Sequence, residues 1–139
     1  MTPYEEMGGE VGVRSLVDRF YDRMEVLPEA KVIRAMHPAS LNESRDRLFW
    51  FLSGWLGGPP LFVQKRGHPR LRARHLPFAV DAAARDAWML CMREALVETS
   101  LSPETRDKLT TALFQLADHM QNQNTNPRLP LVGGSGEPT

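Results

Sequence analysis

Four apolar stripes, each repeating at three-and-four spacing, leave this sequence few architectures to choose from. Val13, Leu16, Val17, Phe20, Tyr21 and Met24 form the first, and Leu48, Phe51, Leu52, Trp55 and Leu56 the second. The third runs through Ala84, Trp88, Cys91, Met92, Ala95 and Leu96, the fourth through Leu109, Ala112, Leu113, Leu116, Ala117 and Met120. Positions three or four apart return to one side of a 3.6-residue helix, so each stripe is a face that water disfavours. No stretch alternates with the period of two that a half-buried strand needs. The chain reads as all-α, with four amphipathic helices closing on one core.

The punctuation agrees. Gly8-Gly9 separates a very short turn near Tyr4 to Met7 from the first long helix. Asn42 is placed to cap the second long helix, and Gly57-Gly58-Pro59-Pro60 ends it. Asp81 is placed to cap the third, while Ser102-Pro103-Glu104 opens the fourth with proline at its tolerated first position. Between Gly57 and Asp81 the only predicted helix is a short one near Arg70 to His75. A connection that long in a compact domain usually has a functional reason. From Asn122 onward the periodicity stops and Asn, Pro, Gly and Ser dominate. Residues 1–122 are therefore read as one domain and 123–139 as a flexible tail.

At 139 residues the chain supports one domain with a real core and no internal repeat. Seventeen basic side chains balance seventeen acidic ones, which argues against a dedicated nucleic-acid or membrane binder. Cys91 is the only cysteine, so an intramolecular disulfide framework and a cysteine-based zinc site are excluded. Flanked by Leu90 and Met92, it reads as a small core residue. No apolar run could span a bilayer, and Met1 to Glu6 lacks the shape of a signal peptide, so the expected location is cytoplasmic.

Charge is segregated locally. Lys65, Arg66, Arg70, Arg72 and Arg74 occur with no acidic residue until Asp81. His75 ends this basic stretch, where Pro77 must stop the helix because it lacks a donor and disfavours helix just before it. Its apolar neighbours in sequence are Leu71, Leu76 and Phe78. This setting suits an imidazole acting as the single protein ligand of a buried haem iron, with arginines meeting the haem carboxylates. It also suits a hydrogen-bonded structural histidine beside a solvated charged face, and the segment alone leaves both open.

The separated motifs Gly8-Gly9, Arg19-Phe20-Tyr21, His37-Pro38, Gly57-Gly58-Pro59 and Arg85-Asp86-Ala87-Trp88 bear on that choice. So does the run Gly67-His68-Pro69-Arg70-Leu71-Arg72-Ala73-Arg74-His75-Leu76-Pro77-Phe78, with Trp88 thirteen residues after His75. Together these motifs make the chain resemble the truncated haemoglobins, within them the second group, called group II or O-type. The resemblance covers about Tyr4 to Asn122. It implies a shortened globin fold, a two-over-two helical sandwich around haem b (iron protoporphyrin IX), with a vestigial first helix and about one turn of proximal helix.

Carried over residue by residue, the resemblance makes His75 the iron ligand, its other ring nitrogen donating to a backbone carbonyl that fixes the tautomer. Tyr21, His37 and Trp88 match polar positions on the ligand-binding face. Without the family match Tyr21 and Trp88 read as stripe fillers; the resemblance implies that each packs a ring while presenting a donor. Ser44 stands where familiar globins carry a distal histidine, which leaves a more open route to the iron. Leu48 is expected to close the apolar side of the pocket, with Phe51 and Leu52 behind it and Phe78 against the cofactor. Arg72 and Arg74 are the arginines preferred for the haem propionates, and His68 reads as structural or propionate-side.

The implied activity is reversible binding of dioxygen, carbon monoxide and nitric oxide, for oxygen binding or transport. The alternative is a redox enzyme, a nitric oxide dioxygenase or peroxidase. It would draw electrons from an external reductase, because the chain carries no flavin or dinucleotide fingerprint. No nucleic-acid or membrane partner is expected, and the chain is expected to be a monomer or homodimer. A helical module without cofactor would explain the periodicity but not polar donors set into apolar stripes.

Overall fold

Each of the four stripes becomes a helix in the computed structural model, which describes residues 1–122. The tail expected over 123–139 lies outside the described residues. The helices are α1 (Pro3–Met7), α2 (Gly9–Val26), α3 (Lys31–Ala35), α4 (Asn42–Trp55), α5 (Leu61–Arg66), α6 (Leu71–His75), α7 (Ala82–Val97) and α8 (Pro103–His119). A single 3-10 turn, Pro28–Ala30, leads into α3. Among the described residues there is no strand, and no helix is long and apolar enough to cross a membrane.

α2 packs on α4, α7 packs on α8, and α2 crosses onto α7. The first and third stripes meet there: Val13, Leu16, Val17 and Met24 of α2 lie buried with Cys91, Met92, Ala95 and Leu96 of α7. Burial pushes the Cys91 thiol up to about 11, so at neutral pH it is a small apolar residue and not a nucleophile. The second and fourth stripes behave differently. Leu48, Phe51 and Leu116 are only half-buried, because they border a cavity instead of filling the core.

Capping follows the sequence at two of the three expected sites. The Asp81 carboxylate accepts from the Ala84 amide at 2.8 Å, and the Ser102 hydroxyl from the Thr105 amide at 3.2 Å. Each such cap is worth about 1 kcal/mol. The exception is Asn42. It lies inside the first turn of α4, and Leu41 holds the cap position with no side-chain bond. Ser40 is the reason: its hydroxyl takes the Asn42 amide at 3.3 Å, and the Leu41 carbonyl already accepts the Arg45 amide. α1 is capped by a reciprocal Thr2–Glu5 pair and is strapped to the end of α4 by the bond from the Tyr4 amide to the Leu56 carbonyl. A Cβ at Gly58 would fall 2.4 Å from the Tyr4 ring, so only glycine lets α1 lie this close.

Two segments depart from the sequence reading. The connection from Gly57 to Asp81 holds two short helices, α5 and α6, where one was expected. α5 forms because Phe62 buries itself against Trp50, ring centroids 6.5 Å apart. Residues 28–35 are helical as well, anchored by buried Ala30 and Ile33, too few apolar positions to register as a period. Leu76, next to His75 in sequence, is 58% exposed.

Candidate functional site

A cavity of about 450 Å³ opens where α4, α7, α8 and the α5–α6 connection face one another. On α4, Ser44, Arg47, Leu48 and Phe51 recur at three-and-four spacing and all border it, with Leu52 alongside. α7 contributes Ala84, Arg85 and Trp88, and α6 contributes Leu71, Arg74 and His75. Tyr21, His37 and Phe78 complete the set of expected site residues found on its wall. Arg72 is not brought there. Its guanidinium donates to the Gln121 carbonyl at 3.1 Å, which ties α6 to the end of α8. His68 is exposed, and its Nδ1 accepts from the Arg70 amide at 3.0 Å.

The α6 turn is short and depends on outside support. Arg70, which precedes it, has φ of 49°, a left-handed conformation that non-glycine residues adopt at a cost. Within the turn, His75 Nδ1 lies 2.7 Å from the Leu71 carbonyl. A carbonyl only accepts, so Nδ1 carries the proton, and in the neutral ring Nε2 keeps its lone pair. Asn122 then clamps the turn from the far end of the domain. Its side-chain amide donates to the His75 carbonyl at 3.0 Å and the Phe78 carbonyl at 2.9 Å. Its side-chain oxygen accepts from the Val80 amide, and its own amide donates to the Val80 carbonyl.

The polar groups of Tyr21 and Trp88 are held by a chain of rings. Phe20, fully buried, stands edge-on to Tyr21 at 4.9 Å and tilted against Trp88 at 5.1 Å. The Tyr21 hydroxyl donates to the Ser44 carbonyl at 3.4 Å, longer than a normal O–H···O bond and easily exchanged for a better acceptor. Burial pushes the phenol's pKa upward, against a smaller pull from Arg47 and Arg45, so Tyr21 remains a donor at neutral pH. Trp88 is half-buried, and among the described residues its indole N–H has no protein acceptor. His37 packs edge-on to Tyr21 at 5.9 Å, and its Nδ1 lies 2.8 Å from the Ile33 carbonyl. Burial holds its pKa below the ordinary value of 6.5, with Arg34, His75 and Arg47 adding to the effect. His37 is therefore neutral at pH 7 and offers the cavity a lone pair.

Three guanidinium groups border the cavity. Arg47 pairs with Glu43 at 3.2 Å, and Arg85 with Asp86 and Asp118 at 2.9 and 2.8 Å. Arg74 pairs with no carboxylate among the described residues. Arg47 and Arg85 were not singled out from sequence. Arg47 sits one turn beyond Ser44 and Arg85 three residues before Trp88, so the periodicity already carried the signal. Asn122 gave none, since its partners are backbone groups more than forty residues away.

The donor set fits a flat, largely apolar prosthetic group that carries carboxylates and a metal. It offers broad apolar walls, imidazole lone pairs, and an arginine not neutralised by a neighbour.

Comparison with known proteins points the same way. The bacterial-like globin family matches residues 2–122. A cold-adapted truncated haemoglobin from the Antarctic bacterium Pseudoalteromonas haloplanktis is 49% identical, with a TM-score of 0.87 over 89% of this chain and 100% of that one. A group II 2-on-2 haemoglobin from Agrobacterium tumefaciens is 46% identical, with a TM-score of 0.86 over 89% of this chain and 96% of that one. The truncated oxygen-avid haemoglobin of Bacillus subtilis is 40% identical, with a TM-score of 0.79 over 88% and 100%. Two helical pairs around an imidazole-bearing apolar cavity, matched along their whole described length, establish that this chain belongs to the bacterial-like globins, as a group II truncated haemoglobin.

Proposed function

We propose that this protein holds haem b in the cavity through His75 and binds dioxygen reversibly, with carbon monoxide and nitric oxide as further ligands. The observation that carries the reading is the shared wall. His75, with Nδ1 on the Leu71 carbonyl, borders the same cavity as Tyr21 and Trp88, two side chains that carry polar donors. Haem, when bound, supplies a ferrous iron able to take up diatomic ligands. The residues supply the rest. His75 Nε2 would hold the iron, the ring oriented by the Leu71 carbonyl and its turn by the Asn122 clamp. Tyr21 and Trp88 would supply O–H and N–H donors to a bound diatomic ligand that carries partial negative charge. Leu48, Phe51 and Leu52 keep the site apolar, and the short Ser44 side chain leaves an approach open. Arg74 meets a propionate with the least competition, and Arg47 lies on the same wall. The oxygen-avid character of the Bacillus subtilis relative supports this reading.

The test is oxygenation itself. The reduced, haem-loaded protein mixed with air is expected to give an oxygenated spectrum that reverts to the deoxy form under argon. Immediate conversion to the ferric form, with no reversible phase, would end the reading.

Asn122 gives a second expectation. Its side-chain bonds hold the backbone from the His75 carbonyl to the Val80 amide, and each is worth about 1 kcal/mol net. Asn122→Ala is therefore expected to speed hemin loss to an apomyoglobin trap by about tenfold, and to broaden the iron–histidine stretching band. A wild-type rate and band would mean that the clamp does not support His75.

A further inference from the structure

Cations elsewhere on this molecule are mostly neutralised where they stand, as in Arg14–Asp46 at 3.0 Å and Arg45–Asp18 at 3.1 Å. The surface of α5 and α6 is different. No Asp or Glu occurs between Asp46 and Asp81. Among the described residues, none of Lys65, Arg66, Arg70, Arg72 and Arg74 has a carboxylate within salt-bridge distance. Three of these cations gather on two aromatic rings. Lys65 and Arg66 lie 5.3 and 5.5 Å from the centre of the Trp50 ring, and Arg74 lies 5.3 Å from that of Phe62. Val63, 54% exposed, and Leu76 add apolar surface. The patch also adjoins the cavity: Arg74 and Phe78, the latter 40% exposed, border it, as does Phe62, buried beneath Arg74.

A strongly basic rim around a little exposed apolar surface is complementary to a small acidic protein. α5 and α6 have only six and five residues, and the Phe62 ring of α5 is buried, so they offer a bilayer little apolar face. The shared wall narrows the partner further, because a protein seated here is separated from the cavity by single side chains. We propose that this patch docks a small acidic electron-transfer protein that reduces the cofactor in the cavity, an inference that rests on the haem reading above. The partner's reduced flavin or iron–sulfur centre gives up one electron and ferric iron is converted to ferrous, with no other bond made or broken. Small, transient interfaces are usual for such encounters.

The test uses the full haem-loaded chain and a prereduced plant-type [2Fe–2S] ferredoxin, under carbon monoxide, followed by stopped-flow spectroscopy. Steered association weakens as salt shortens the screening length, so the second-order rate is expected to fall by about tenfold or more between about 20 and about 300 mM salt. At low salt, Lys65→Glu/Arg66→Glu/Arg70→Glu is expected to lower it by about tenfold, and the corresponding Gln triple variant by less. Lys31→Glu/Arg93→Glu, on other surfaces, should stay near wild type. Titration of oxidised ferredoxin by calorimetry reads docking without electron transfer and should show the same ranking. A rate and an affinity indifferent to salt and to the triple reversal would overturn the proposal. So would binding to vesicles of phosphatidylglycerol and phosphatidylcholine with no binding to ferredoxin. The Soret band and carbon monoxide spectrum of each protein separate the two levels: if they are absent in wild type, the haem reading falls and the docking proposal with it.

Discussion

His75→Gly is expected to lose hemin affinity by more than about a hundredfold, and added imidazole should restore a histidine-type Soret band. Changing a group that merely orients a metal ligand costs about 10–100-fold in affinity, so removing the ligand costs more. The variant also separates two candidates that geometry leaves alike. His37 and His75 both direct Nδ1 at the carbonyl four residues earlier, at 2.8 and 2.7 Å, and both border the cavity. What favours His75 is its mounting, on a turn pinned by Asn122 and by the Arg72–Gln121 bond. His37→Gln should therefore keep stoichiometric hemin and a five-coordinate ferrous spectrum. If His37→Gln loses hemin and His75→Gly does not, the assignment of the axial ligand is reversed.

Trp88→Phe and Tyr21→Phe should each speed dioxygen release by about ten- to a hundredfold. A hydrogen bond to a charged partner is worth about 1.5–3 kcal/mol, which converts to that range of rates. Carbon monoxide carries little negative charge, so its release should change far less in the same variants. That contrast separates a lost donor from a loosened pocket, which would alter both ligands. The two donors lean on one ring, Phe20, so the double variant is not expected to equal the product of the singles. Unaltered dioxygen release in both single variants would remove the donor role from both residues.

Which parts of this molecule were legible in its sequence follows from the range of the interactions that made them. The stripes on α2, α4, α7 and α8 are local periodicities, and they became helices with little change. The caps at Asp81 and Ser102 are bonds across three residues and were equally visible. Asn42 misled because a neighbour, Ser40, had already taken its amide. α5 was hidden because its stability comes from Phe62 meeting Trp50, a contact between elements. Arg72 and Arg74 look equivalent in a basic run, yet a backbone carbonyl at the end of α8 draws Arg72 away while Arg74 stays on the cavity wall. Asn122 marked only the loss of periodicity in sequence, whereas in the fold it closes a clamp onto His75.

The half-burial of Leu48, Phe51 and Leu116 has a similar origin. Their periodicity marked them as core, and nothing local distinguishes a side chain that fills a core from one that walls a cavity. The resemblance to truncated haemoglobins made that distinction for Leu48 and Phe51, because it implied a cofactor beside them; Leu116 was read only as part of its stripe.

The most direct test of the account is the visible spectrum of the purified protein as ferric, dithionite-reduced, and reduced with carbon monoxide. The account predicts a haem Soret band, a five-coordinate ferrous form, and a sharp shift when carbon monoxide binds. A protein that neither carries haem nor takes up added hemin in a one-to-one ratio would contradict it.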